Sequence, residues 1–340
     1  MNTGPLRAMP KVLLHEHLDG GLREATLFEL LRERGLPCPA ADVAALGRWF
    51  DDRAHAGSLV EFLRGFALTV AAMATPQALE RVAFEAAEDA LADGCVLAEF
   101  RIAPLLFEAH GLSGEATLEA LLTGLARSAL PSGLIVCAMR HLPSDETLRS
   151  ARLASAYAGR GVVGFDLAGA ELGHPLGDHA AAIAAARDGG LALTLHAGEA
   201  DEARRVLEAV QLGAARIGHG VRLADALGVD VALVGAVRDA GAHLEICPTS
   251  NVHTGAARSI ATHPIVALWR AGLSLAVNTD NRLMSRVTLS DECAALLAHT
   301  PLTLADLWGM QLAAARHSFL PDDVKKRAIA AINAFAVPAA

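Results

Sequence analysis

Aromatic side chains are scarce in this chain: they make up 4% of 340 residues, with one tyrosine and three tryptophans. Any large core must therefore be aliphatic, drawn from the Ala, Leu and Val that dominate a hydrophobic fraction of 53%. Cysteine is also sparse. Cys38, Cys95, Cys137, Cys247 and Cys293 are odd in number, far apart and form no CxxC pair, which argues against a disulfide framework and against a cysteine-based zinc site. No Lys/Arg-rich run longer than three residues occurs and the formal charge is −9. Nucleic-acid binding normally requires a basic face, so no nucleic-acid partner is expected. No apolar stretch reaches the ~18–20 residues of a membrane span, and Met1–Pro10 lacks the apolar core and cleavage site of a signal peptide. A reduced, cytoplasmic protein with no membrane partner is the expectation. There is no Pro/Ser-rich linker, no repeat of 20–50 residues and no low-complexity tract beyond Ala-richness, so residues 1–340 read as a single domain.

What is present is a regular alternation. Short apolar or β-branched runs at 10–17, 95–102, 133–139, 161–167, 191–196, 215–218, 243–247 and 273–278 are separated by stretches with helical spacing, such as 77–92, 144–158 and 201–213. Strands alternating with helices imply parallel pairing, and eight of them predict an α/β fold of the (β/α)8, TIM-type barrel class. The alternative is an open doubly wound sheet, which usually carries a Gly-rich phosphate loop after its first strand. Here that place holds His17-Leu18-Asp19-Gly20-Gly21. The long connection from 24 to 92 reads as four helices inserted over the C-terminal mouth of the barrel. The tail from 302 to 335 reads as two more, with Pro301 and Pro321 as start signals.

The polar residues collect at strand exits. His15 and His17 flank Glu16 at the end of the first strand; alternation sends both histidines to one side, the lumen of a barrel, and Glu16 to the helical layer. His196 ends the fifth strand, with Glu199 three residues on. His219 ends the sixth, inside Gly218-His219-Gly220, and Asp280 follows the eighth. Active sites of this fold lie at that face. His15, His17, His196 and Asp280 offer three neutral nitrogens and one carboxylate, a set suited to Zn²⁺, with Fe²⁺ or Co²⁺ as alternatives. The remaining pair, Glu199 and His219, suits acid/base chemistry on a metal-activated water.

The segments Pro10–Gly20, His196-Ala197-Gly198-Glu199, Gly218-His219-Gly220, Cys247-Pro248-Thr249-Ser250-Asn251 and Asn278-Thr279-Asp280, together with Met139-Arg140-His141 and Asp166-Leu167-Ala168-Gly169, occur in the order found in the adenosine deaminases. The chain resembles that family from Pro10 to about Asn281. The resemblance implies a zinc-dependent (β/α)8 aminohydrolase of adenosine and 2′-deoxyadenosine, with one Zn²⁺ per chain held by His15, His17, His196 and Asp280. It implies that Glu199 donates a proton to purine N1, that His219 orients or deprotonates the water, that Gly169 offers its N–H to N3 and that Asp19 takes the ribose 5′-hydroxyl. Leu59, Phe62 and Phe66 match the family's apolar lid over the base, a spacing equally compatible with ordinary helix-face core. The sole partner implied is a small-molecule purine nucleoside.

One departure stands out. The family usually follows its ligand Asp with a second Asp and a Pro; this chain has Asn281 and Arg282. The residue after the ligand Asp hydrogen-bonds purine N7, an acceptor, and an Asn amide can donate there without first holding a proton. The substitution bears on substrate range: a modified adenine nucleoside, such as aminodeoxyfutalosine or a 5′- or N6-substituted adenosine, is the alternative substrate. Outside catalysis, a metal-free nucleoside-binding relative is a further alternative, although such a protein should have lost ligands that are all present here.

Overall fold

The structure, a computed structural model, describes residues 4–54 and 59–335. Eight strands run in sequence order, each parallel to the next: β1 (Lys11–His17), β2 (Cys95–Ile102), β3 (Ser132–Met139), β4 (Val162–Ala168), β5 (Ala192–Ala197), β6 (Arg216–His219), β7 (His243–Ile246) and β8 (Ser274–Val277). Each begins and ends within two residues of the apolar run that predicted it. The seam between β1 and β8 closes partly through a side chain. Asn278 Oδ1 accepts from the amides of Leu14 and His15, at 2.8 and 3.1 Å. Just beyond, His17 N donates to Asp280 O and Asp280 N to His15 O. The product is a (β/α)8 barrel with surrounding helices. It places the residues following β1, β4, β5, β6 and β8 at one rim.

Two kinds of interior result. Between barrel and helices the packing is aliphatic, with Leu31, Leu79, Leu121, Leu195, Leu244 and Leu275 fully buried, as the shortage of aromatics predicts. The lumen is filled instead by buried charge. Arg101 of β2 reaches Glu245 of β7 at 2.6 Å and Asp166 of β4 at 2.7 Å, while Arg216 of β6 reaches Glu99 of β2 and Glu245, each at 2.6 Å. Bonds between non-adjacent strands can only cross the interior, so these five side chains form a ladder through the barrel. At its floor Glu99 accepts from Ser318 Oγ and the Phe319 amide, and the Arg216 guanidinium stacks on the Phe319 ring at 3.7 Å.

Helices Glu24–Glu33, Val43–Ala54, Leu59–Met73 and Pro76–Ala92 follow β1, and Leu304–His317 and Asp322–Ala334 close the chain. The penultimate helix starts at a different signal from the one expected. Its N-cap is Thr303, in a capping box with Asp306, and Pro301 lies outside. A hydroxyl and a carboxylate satisfy the free amides of the first turn, which a proline two residues upstream cannot do. No helix among the described residues is long and apolar enough to cross a membrane.

Candidate active site

The exits of β1, β5, β6 and β8 bring the sequence motifs together. Donor atoms of His15, His196, His219 and Asp280, all buried, lie within 4.8 Å of one another. His17 stands at the edge of this group, its Nε2 3.6 Å from Asp280 Oδ1, and its ring is 5.4 Å from that of His196. The five residues therefore share one pocket, and the foursome whose donor atoms lie within 4.8 Å includes His219, which sequence reasoning assigned to proton transfer.

Hydrogen bonds distinguish the histidines. His15 Nδ1 meets Glu245 Oε2 at 2.8 Å, and His196 Nδ1 meets Asp166 Oδ1 at 3.0 Å. A carboxylate on Nδ1 fixes the proton there and turns the Nε2 lone pair toward the pocket, the usual support of a metal-binding imidazole. His219 is held differently. The Asn251 amide nitrogen faces both its Nδ1, at 3.0 Å, and Glu199 Oε1, at 3.3 Å. An amide N–H on Nδ1 leaves the proton of the neutral ring on Nε2, 3.5 Å from Glu199 Oε2. Burial, with His15 and His196 nearby, holds the His219 pKa well below the usual histidine value despite the opposing Asp280 charge.

A cation fits the gap. His15 Nε2 and Asp280 Oδ1 are both buried without a hydrogen-bond partner and face each other at 3.3 Å. The other Asp280 oxygen, Oδ2, accepts from Ser250 Oγ at 2.5 Å. His219 and Asp280 also have left-handed backbones, with φ of 61° and 60°. For residues other than glycine that conformation costs on the order of 1–3 kcal/mol and concentrates at functional sites.

Glu199 has the character of an acid. Burial, followed by the negative charges of Asp280 and Glu171, pushes its carboxyl up to about 7 against the hydrogen bond from Thr254. Asp19, buried in the turn after β1, is likewise pushed up to about 7 by burial, and its Oδ1 has no partner.

The expected substrate contacts are placed unevenly. Asn281 is buried and packs so tightly on Gly20 that a Cβ there would come within 2.0 Å of its Oδ1; Gly20 thus makes room for Asn281 beside Asp19. Gly169 leaves β4 with φ +91°, and a Cβ would meet His141 Nδ1 at 2.8 Å. Phe66 is half-buried against the core. Leu59 and Phe62 belong to helix Leu59–Met73, but their side chains lie outside the described residues. Arg282 turns away from the pocket: it donates to Glu16 at 2.6 Å, Asp89 at 3.2 Å and Gly21 O at 3.1 Å. It lines a flank cavity of about 260 Å³ that contains none of the clustered histidines.

Sequence reasoning gave no role to Glu245, Asp166, Arg101 or Asn251. The available signal was an acid or arginine on the lumen-facing side of an otherwise apolar strand: Asp166 within Phe165-Asp166-Leu167 and Glu245 within Leu244-Glu245-Ile246.

Parallel barrel and rim cluster together define a metal-hydrolase type of site, with histidines and an aspartate around a cation-sized gap and a half-buried acid beside it. The sequence profile of the adenosine deaminase family matches residues 10–335. An adenosine deaminase of Mycobacterium tuberculosis is 43% identical over 336 residues, covering 94% of this chain and 92% of that protein. Among solved structures, an Arabidopsis N6-mAMP deaminase superposes with a TM-score of 0.84 at 26% identity, over 97% of this chain and 99% of that one. A zinc-bound amidohydrolase from Burkholderia ambifaria gives 0.86 at 25% identity, over 97% and 91%. This chain belongs to the adenosine deaminase family.

Proposed function

We propose that this protein is a cytoplasmic aminohydrolase that converts adenosine and 2′-deoxyadenosine to inosine and 2′-deoxyinosine with release of ammonia, using one Zn²⁺ per chain. The observation that carries the reading is the pairing, at one barrel rim, of a cation-sized gap with a half-buried carboxyl raised to about 7. His15, His17, His196 and Asp280 would hold the ion. Bound there, it acidifies water, lowering the pKa toward ~7.

The remaining chemistry belongs to the side chains. As the water oxygen bonds to C6, the ring loses aromaticity and N1 gains electron density. Glu199, protonated, donates its proton to N1. His219, neutral with its proton on Nε2 beside Glu199, orients the water by donating a hydrogen bond to it. The C6–amine bond then breaks; the amine takes one of the water's protons and leaves as ammonia, the other restores Glu199, and the 6-oxo purine remains with hydrogen on N1. Asp19 would accept the ribose 5′-hydroxyl, and Gly169 N–H would meet N3. Phe66, with Leu59 and Phe62 on the same helix, would cover the base.

The second reading, a modified adenine nucleoside, rests on Asn281 in place of the family's second Asp. A panel of adenosine, 2′-deoxyadenosine, adenine, an N6-methylated and a 5′-substituted adenosine, followed by formation of the 6-oxo purine, separates the two. The account expects adenosine and 2′-deoxyadenosine to have the highest kcat/KM. A preference for a modified nucleoside by more than ~10-fold, about 1.4 kcal/mol in transition-state binding, would replace it with the second reading.

Asn281 allows a separate check. If its amide donates to N7, the 7-deaza analogue strands that donor at a cost of about 1–3 kcal/mol, or roughly 5–150-fold in kcat/KM. Asn281→Ala should erase most of this penalty. An equal penalty in wild type and variant would remove Asn281 from the contact.

A further inference from the structure

The segment carrying Glu199 leaves β5 through Gly198, whose φ of +68° is open to glycine; a Cβ there would also come within 2.6 Å of Val206 Cγ2. The helix after it begins only at Arg204, three residues later than the sequence pattern predicts. The amides between therefore have no helical carbonyl to bond. Three consecutive ones converge on a single atom: Glu199 N, Ala200 N and Asp201 N donate to Glu171 Oε2 at 3.1, 2.8 and 2.8 Å. Such a run of aligned N–H groups forms an anion-binding concavity, here filled by a carboxylate of the chain itself.

Glu171 is 5% exposed, and its second oxygen, Oε1, makes no hydrogen bond; it lies 3.9 Å from Arg140 Nη1. Arg140, buried at the end of β3, donates to His196 O at 2.9 Å and His174 O at 2.8 Å. The stretch 196–201 is thus gripped at both ends. Arg140 takes the carbonyl at its start, and Glu171 takes the three amides at its finish. The far end of the Glu199 side chain is tied separately, by Thr254 at 2.8 Å.

We infer that Glu171 is a positioning residue for the deamination, fixing the backbone of Glu199 so that its carboxyl is presented to N1 of the purine. The inference rests on the proposed reading that Glu199 is the proton donor. A carboxylate suits this role better than water because one buried anion holds three donors in a single geometry and leaves the loop no alternative acceptor. Displacing a catalytic group by about 1 Å can cost on the order of 10²-fold in rate.

The test uses Glu171→Ala and Glu171→Gln in the full-length, metal-loaded enzyme, alongside Glu199→Gln. For each, kcat, KM and the inhibition constants of purine riboside and its 1-deaza analogue, which lacks N1, are measured. Glu171→Ala is expected to lower kcat by roughly 10–100-fold with a smaller change in KM. The preference for purine riboside over its 1-deaza analogue should collapse at the same time, because a swinging carboxyl no longer meets N1. Glu171→Gln keeps the shape and an acceptor oxygen, so it folds as wild type and should recover part of both. Added to Glu199→Gln, Glu171→Ala should lower kcat by less than about threefold more, since the two act as a unit.

A Glu171→Ala enzyme that loses rate but keeps its N1 preference would mean that Glu171 only stabilises the loop, and the inference fails. It fails as well if both Glu171 variants turn over at the wild-type rate while Glu199→Gln does not. Full activity in Glu199→Gln would instead overturn the reading on which the inference depends.

Discussion

Glu199→Gln is expected to lower kcat by about 10²–10⁴, the usual scale of general acid catalysis, while bound metal is retained. The amide keeps the volume of the carboxyl and can still hydrogen-bond to N1, but it has no proton to transfer as C6 is attacked. Glu199 makes none of the bonds that orient His15 or His196, whose Nδ1 atoms rest on Glu245 and Asp166. The loss should therefore appear in kcat with little change in metal content or in folding. A variant with kcat within a few-fold of wild type would show that the proton comes from another group.

The second large effect is expected far from the substrate. Glu245 lies at the centre of the lumenal ladder. Its Oε2 receives Arg101 and His15, and its Oε1 receives Arg216 and Thr194. Burial pushes its carboxyl up, and the two arginines more than reverse this, holding it well below the usual carboxylate range. Glu245→Ala takes one of two carboxylate partners from each of two fully buried guanidinium groups and frees the His15 ring. Breaking a buried ion pair from one side costs about 3–5 kcal/mol, and loss of a carboxylate supporting a metal-bound histidine costs roughly 10–100-fold in metal affinity. Urea unfolding of metal-loaded protein should show the first, and a competition titration against a chelator the second. If stability and metal affinity both stay near wild type, the ladder is not what holds His15.

Strand order and boundaries were legible because each barrel strand is a compact apolar run bounded by turn residues, and eight such runs alternating with helices leave few topologies open. His15, His17, His196, Glu199, His219 and Asp280 were legible because barrel chemistry collects at strand exits, where a polar residue after an apolar run is conspicuous. The partners of these residues were not. Arg101 and Glu245 are 144 positions apart, and their pairing depends on the barrel diameter and on which side of its strand each occupies. By sequence alone Arg282 fits a place at the pocket rim and a surface salt bridge equally well. Its direction is settled by Glu16, which alternation sends to the outer layer and which binds it there. The late start of the helix at Arg204 had no local signal either. The acceptor that captures the preceding amides is Glu171, in a different loop.

The most direct test of the account is the metal dependence of adenosine turnover. Protein stripped with a chelator and then titrated with Zn²⁺ is followed by ammonia release and by the spectral change from a 6-amino to a 6-oxo purine. The account predicts activity at background in the stripped protein, rising in proportion to added Zn²⁺ and levelling off at about one ion per chain. Stripped protein that deaminates adenosine at the full rate would contradict it.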